Sequence, residues 1–136
     1  MKSSPLKKVL LVDDDSSLRK TISIALRGMF DLFEASDGGE ALTVLKVQRP
    51  KLMLLDIAIP TMSGIEVLQV ALHLDPSLIV CMLTGEDDVG VAKHALEMGA
   101  VMYMTKPFDV DDLRAEVKRL LGPEKQDPYR PWRIAS

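Results

Sequence analysis

Apolar residues fall into short blocks, separated by stretches in which they recur every three or four positions. Three blocks, VLLV (9–12), LMLLDI (52–57) and LIVCML (78–83), are near-continuous rather than alternating. That is the pattern of parallel strands covered on both faces. Two weaker blocks, DLFEA (31–35) and VMYMT (101–105), mix in polar or bulky residues and read as edge strands. Helical spacing fills the gaps. Leu18, Ile22, Leu26 and Met29 form the first set; Ala41, Val44 and Leu45 the second; Ile65, Leu68, Ala71 and Leu72 the third. Ala92, Ala95 and Leu96 follow, and then Leu113, Val117, Leu120 and Leu121. Five strands alternating with five helices predict an α/β, doubly wound domain with a five-stranded parallel sheet. Three central strands and two edges match the order 2-1-3-4-5.

Gly122-Pro123 stops the last helix, and three prolines in residues 122–136 mark that segment as a tail or linker rather than a second domain. Tyr129 and Trp132 could dock on a partner, but the stronger reading of the segment is a mostly mobile tail. A chain of 136 residues with 47% hydrophobic positions can bury a core of its own. The net charge of −3 and the lack of a Lys/Arg block argue against nucleic acid as a direct partner of this segment. The one cysteine, Cys81, sits inside an apolar block and reads as a small buried hydrophobe. A single cysteine excludes an intramolecular disulfide framework and fits a reducing cytoplasm. The N-terminal MKSSPLKKVLLV has too short an apolar run for a signal peptide, and no run approaches a membrane span.

In doubly wound sheets the ligand site lies beyond the carboxyl ends of the strands, where the strand order switches, here between strands 1 and 3. Strand 1 runs into Asp13-Asp14-Asp15, and strand 3 ends in Asp56. Strand 4 ends in MLTGE, bringing the Thr84 hydroxyl, and strand 5 in MTKPF, bringing the Lys106 ammonium. Carboxylates at about 5 Å, with an effective dielectric near 20, repel by roughly 3 kcal/mol per pair. A hard divalent cation such as Mg²⁺ suits such an oxygen cluster and offsets that repulsion. It also lets a dianionic phosphoryl group approach an aspartate. With Lys106 and Thr84 the set forms an electrostatic clamp for phosphoryl transfer onto a carboxylate. Taken singly, each residue has an ordinary reading: residues 13–17 as helix N-caps, Asp56 as a solvated strand end, Thr84 as a helix cap, Lys106 as surface charge. Fitting residue types at the ends of four different strands make the combination the stronger reading.

The motifs LLVDDD, LLDIAIPTMSG, MLTGE and GAVMYMTKPF together resemble the receiver domain of two-component response regulators, across residues 6–121. The resemblance implies a flavodoxin-like receiver at 6–121 followed by the Pro-rich tail or linker at 122–136. It implies that Asp56 is the phosphoacceptor. Asp13 and Asp14 would be the acidic pair, with Asp14 a direct Mg²⁺ ligand, Asp13 acting mainly through water, and Asp15 outside the coordination sphere. Asp56 and the backbone carbonyl of Ala58 would complete the metal ligands. Thr84 and Lys106 would hold the phosphoryl oxygens, and Thr84 and Tyr103 would form the switch. Lys106-Pro107 would be a cis peptide, a bond type that belongs to proline. The implied partners are a sensor histidine kinase or phosphotransfer protein, and a downstream protein that docks on helix 4, strand 5 and helix 5. Neither direct nucleic-acid binding nor membrane insertion is expected of this segment. The implied activity is not that of an enzyme on an external metabolite, since the domain catalyses only its own phosphorylation and dephosphorylation. Departures from the family pattern are Ile59 where Met is frequent, Ala58 where a polar or long residue is frequent, and Gly85 where Ala is frequent. Val101 and Met102 stand where DNA-binding subfamilies often carry acids.

Two other functions fit parts of the pattern. DDDSS superficially resembles the start of Mg²⁺-dependent phosphatases with an aspartyl nucleophile on strand 1. A flavin module of the same topology would need a phosphate loop there, and three aspartates would repel the cofactor phosphate. The chain could also be the receiver of a longer transcriptional regulator; the expectation is a complete single-domain protein. His73 and His94 read as surface or packing residues, the methionines as core filler, and Gly38-Gly39 as the opening of the second helix.

Overall fold

A computed structural model describes residues 6–122. The expectations for the 123–136 segment, including Tyr129 and Trp132, lie outside the described residues. The elements run β1 (Lys8–Val12), α1 (Ser16–Leu26), β2 (Asp31–Ala35), α2 (Gly38–Gln48), β3 (Leu52–Asp56) and α3 (Gly64–Leu74), then β4 (Ile79–Thr84), α4 (Val89–Glu97), β5 (Met102–Thr105) and α5 (Val110–Leu121). All strand pairs are parallel, in the order β2-β1-β3-β4-β5.

The continuous apolar blocks divide by parity between two layers. Leu10, Val12, Met53, Leu55, Val80 and Met82 face α2, α3 and α4, packing on Ala41, Leu45, Val67, Leu68, Ala71, Ala92 and Ala95. Val9, Leu11, Leu52, Leu54, Cys81 and Leu83 face α1 and α5, packing on Ile22, Leu26, Leu113 and Val117. Each central strand is therefore buried on both sides, which is why no polar alternation shows in its sequence. The seven described methionines all lie in these layers or pack against them. Cys81 is buried, and its burial pushes the thiol up to about 12.

Several boundaries differ from the periodicity. Helix α1 stops at Leu26, so Met29 is not on its face; Gly28 turns at φ +83° and Met29 hydrogen-bonds back to the Leu26 carbonyl. The apolar count continues past the helix end because Met29 still packs against the α1–α5 layer. β3 ends at Asp56 rather than at residue 57, and β4 is shifted by one residue to Ile79–Thr84. A single 3₁₀ turn, Glu86–Asp88, precedes α4 and has no periodic signal, being three acids in succession. Leu96 is exposed rather than on the buried face of α4. His73 and His94 are exposed, and Gly38 opens α2 behind an Asp37 cap.

Candidate functional site

The site is built by extending the sheet's parity past the strand ends. Residues 9 and 11, 52 and 54, and 102 and 104 all face the α1–α5 side. The next positions in the same phase are Asp13, Asp56 and Lys106. They meet: Lys106 Nζ donates to Asp13 Oδ2 at 2.7 Å and to Asp56 Oδ2 at 3.1 Å. Thr84 has the opposite phase, shared with Val80 and Met82. It is fully buried, and its hydroxyl donates to the Gly85 carbonyl at 2.9 Å. That bond is not a cap, since the 3₁₀ turn after it has no side-chain cap.

The backbone around each group is fixed. The Asp13 N–H donates to the Ala35 carbonyl at 3.0 Å, and the Asp13 carbonyl accepts from Arg19 Nη1 at 2.7 Å. Arg19 Nε pairs with Glu34 at 3.1 Å, so one guanidinium ties the end of β1 to β2. Periodicity carries no sign of Arg19, which lies on α1 among other polar residues. The Ile57 N–H continues the sheet to the Leu83 carbonyl at 3.0 Å, and the Lys106 N–H donates to the Thr84 carbonyl at 2.7 Å. Lys106-Pro107 is a cis peptide.

The three consecutive aspartates part company. Asp13 is fully buried, and its Oδ1 accepts from the Asp15 N–H at 2.9 Å. Asp15 is the N-cap of α1, accepting from the Ser17 and Leu18 N–H groups. Asp14 is exposed, yet one of its carboxylate oxygens lies within 4.8 Å of one from Asp13 and one from Asp56. These three carboxylates can hold a metal ion. The donor set is all carboxylate oxygen, with one exposed member open to water, which suits a hard, partly hydrated divalent cation. Ala58, exposed just past β3, donates its N–H to Asp56 Oδ1 at 3.1 Å.

Burial raises the Asp56 carboxyl above the ordinary aspartate range, and the Asp13 charge adds to it; the Lys106 hydrogen bond, the Lys106 charge and the Ala58 N–H oppose them without prevailing. For Lys106, burial alone would lower the ammonium. The hydrogen bonds and charges of Asp13 and Asp56 outweigh burial, and the net shift is upward. The site therefore combines an acidic group that resists ionisation with a cation bound to remain charged. Tyr103, on β5 beside Met82, is half-buried against the α2–α4 layer. It shares the phase of Thr84 across the sheet, so the acid–ammonium cluster and the Thr84–Tyr103 pair lie on opposite sides of the strand ends.

The loop after β3 carries a feature that periodicity does not reveal. A Cβ on Gly64 would come within 2.7 Å of Ile57 Cα and 2.8 Å of the Asp56 carbonyl oxygen. Helix α3 thus starts with its backbone pressed against the chain that carries Asp56. The signal for this helix start in the sequence is the Ser63-x-x-Glu66 capping box, and both of its bonds form.

A family model described as the response regulator receiver domain matches residues 9–118. The chain belongs to the response regulator receiver family. The DNA-binding response regulator MtrA of Mycobacterium tuberculosis is 39% identical over 130 residues, covering 95% of this chain and 57% of MtrA. Sporulation initiation phosphotransferase F of Bacillus subtilis is 34% identical over 116 residues, covering 85% of this chain and 94% of that protein. Among solved structures, the CheY-like receiver domain protein of Methanospirillum hungatei superposes with a TM-score of 0.80 at 32% identity, covering 85% of this chain and 94% of that one. The chain spans little more than half the length of the MtrA relatives. As a receiver domain it is a switch module of two-component signalling. Among the described residues, no helix is long and apolar enough to cross a membrane.

Proposed function

We propose that Asp56 accepts a phosphoryl group from a sensor histidine kinase or a phosphotransfer protein, in the cytoplasm and with Mg²⁺ bound. The observation that carries this reading is the position of Lys106, held at 2.7 Å from Asp13 and 3.1 Å from Asp56 at the rim where Asp14 completes an acidic cluster. In the reaction a carboxylate oxygen of Asp56 attacks phosphorus while the bond from phosphorus to the donor's imidazole nitrogen breaks. An acyl phosphate forms, and the imidazole leaves with the electron pair. Asp13, Asp14, Asp56 and the Ala58 carbonyl would hold Mg²⁺, which supplies charge neutralisation for the transferring group. Lys106, already hydrogen-bonded to the acceptor, would hold a phosphoryl oxygen there. Thr84 would give up its bond to the Gly85 carbonyl and donate to a phosphoryl oxygen instead. Tyr103, in phase with Thr84, would follow, altering the face made by α4, β5 and α5 for a downstream protein. The domain acts on itself and has no external metabolite as substrate, and this segment does not contact nucleic acid. The receiver would span 6–121.

A phosphatase with its nucleophile on strand 1 would draw on Asp13 or Asp14, because Asp15 is engaged in capping α1; it would turn over a phosphomonoester and leave Asp56 unlabelled. The test is the intact mass after treatment with Mg²⁺ and a small acyl phosphate. One phosphoryl group per chain is expected, lost in Asp56→Asn. Labelling that persists in Asp56→Asn, or multiple turnover of a phosphomonoester without labelling, would overturn the reading.

A further inference from the structure

The loop that leaves Asp56 contains a backbone conformation its residue does not favour. Thr61 has φ +71°, one of two positive-φ residues other than glycine among the described residues. The other, Arg49, is an ordinary left-handed helix cap at the end of α2. Thr61 is in no helix and is β-branched, which makes this region costly for it. The Met62 N–H donates to the Pro60 carbonyl at 2.8 Å. A bond across one residue of positive φ defines the γ-turn of the rarer, strained hand. The Thr61 hydroxyl donates to the same carbonyl at 2.6 Å. Two donors thus converge on one oxygen and hold the turn shut.

The rest of the loop cannot absorb a change there. The Gly64 N–H donates to the Ile57 carbonyl at 2.9 Å, closing the segment 57–64 into a ring, and Gly64 lies in backbone contact with Asp56 and Ile57. Ser63 and Glu66 lock the start of α3, and Met62 is pressed against Gly38 of α2. Pro60 has its own φ fixed by its ring. Between the two fixed ends, the remaining peptides are those of Ala58 and Ile59, and the Ala58 N–H lies on Asp56 Oδ1. We propose that Thr61 is a positioning residue of the acceptor site: its hydroxyl-clamped turn sets the course of the loop and so orients the Ala58 peptide beside Asp56. This rests on the reading of Asp56 and its acidic neighbours as the metal and phosphoryl site.

The test compares Thr61→Ala with Thr61→Gly. Alanine removes the hydroxyl clamp while keeping a Cβ that disfavours positive φ. Glycine removes the clamp and admits the turn freely. In Thr61→Ala the Ala58 amide resonance of the metal-free protein should move, and Mg²⁺ affinity, read by titration with Mg²⁺ alone, should fall three- to tenfold. In Thr61→Gly both should stay near the parent values. Melting curves of both variants establish that they fold. Parent-like Ala58 resonance and Mg²⁺ affinity in Thr61→Ala would overturn the proposal, as would equal losses in both variants. Failure of the underlying reading looks different, because the parent protein itself would then neither bind Mg²⁺ nor take up a phosphoryl group.

Discussion

Asp13, Asp14 and Asp15 have the same side chain and meet three environments. Asp13 is enclosed and bound to Lys106, Asp14 faces water beside the cluster, and Asp15 caps α1. Their substitutions should therefore separate. Mg²⁺ at tenfold over its dissociation constant stabilises the fold by about 1.4 kcal/mol if it binds only the native form. Asp14→Ala should abolish that gain in thermal melts. Asp15→Ala should lower stability by about 1 kcal/mol, the usual worth of an N-cap, and leave the Mg²⁺ response intact. Asp56 supports a second prediction through pH. Its carboxyl is held above the ordinary aspartate value by burial and by Asp13. The native state then keeps that proton to higher pH than the unfolded chain, so the contribution is present below pH about 4 and is lost as pH rises through the raised value. Asp56→Asn should flatten this dependence and raise the stability of the metal-free protein at neutral pH. Urea melts from pH 4 to 7 without metal would check it, and a parallel loss of stability in both proteins would contradict it.

At the level of elements, the central strands are legible in the sequence because burial on both faces leaves nothing polar in them, and the ends of those strands mark the rim. That is why the pattern of apolar blocks suffices to bring Asp13, Asp56 and Lys106 to one place. The Thr84 hydroxyl can be assigned by that pattern only to the rim. Its bond to Gly85 depends on a rotamer that no periodicity encodes. Met29 shows the other limit, since a turn can return an apolar residue to the layer its helix has left. The glycines are equally opaque, because their cost lies in atoms that only the packed fold supplies. Gly64→Ala would drive a Cβ into the backbone of Ile57 and Asp56. It should destabilise the protein by about 1–3 kcal/mol, the range for overpacking a close contact. Gly90, inside α4, has open space where a Cβ would go. Gly90→Ala should stabilise by up to about 1 kcal/mol through helix propensity. Denaturant unfolding of the two variants distinguishes packing from propensity, and equal effects would refute this assignment.

For the molecule as a whole, the question is what the α4–β5–α5 side offers a partner. Val91, Leu96 and Val101 are exposed there, Val101 at 50%. Met102 does not join them. It is half-buried against the α1–α5 layer, with Arg119 Nη2 at 3.6 Å from its sulfur. The charges of α5 are largely engaged within their own helix: Arg114 with Asp111 at 2.9 Å, and Arg119 with Glu116 at 2.8 Å. A dimer whose crossed ion pairs used Arg114 or Arg119 would compete with these pairs, and Val101 supplies no carboxylate where such a dimer would want one. Association through this side should therefore be mainly apolar. Raising ionic strength from about 0.1 M to 1 M shortens the screening length from about 10 Å to about 3 Å, which weakens surface ion pairs and leaves apolar burial in place. The phosphorylated protein should accordingly sediment as a monomer, or bind a different protein with an affinity that salt changes little. Val101→Glu should then weaken that partner's binding, whereas reversing Glu116 should not. A tight phosphorylation-dependent dimer that dissociates as salt rises would show that the charged residues of α5, and not the exposed apolar ones, form the output surface.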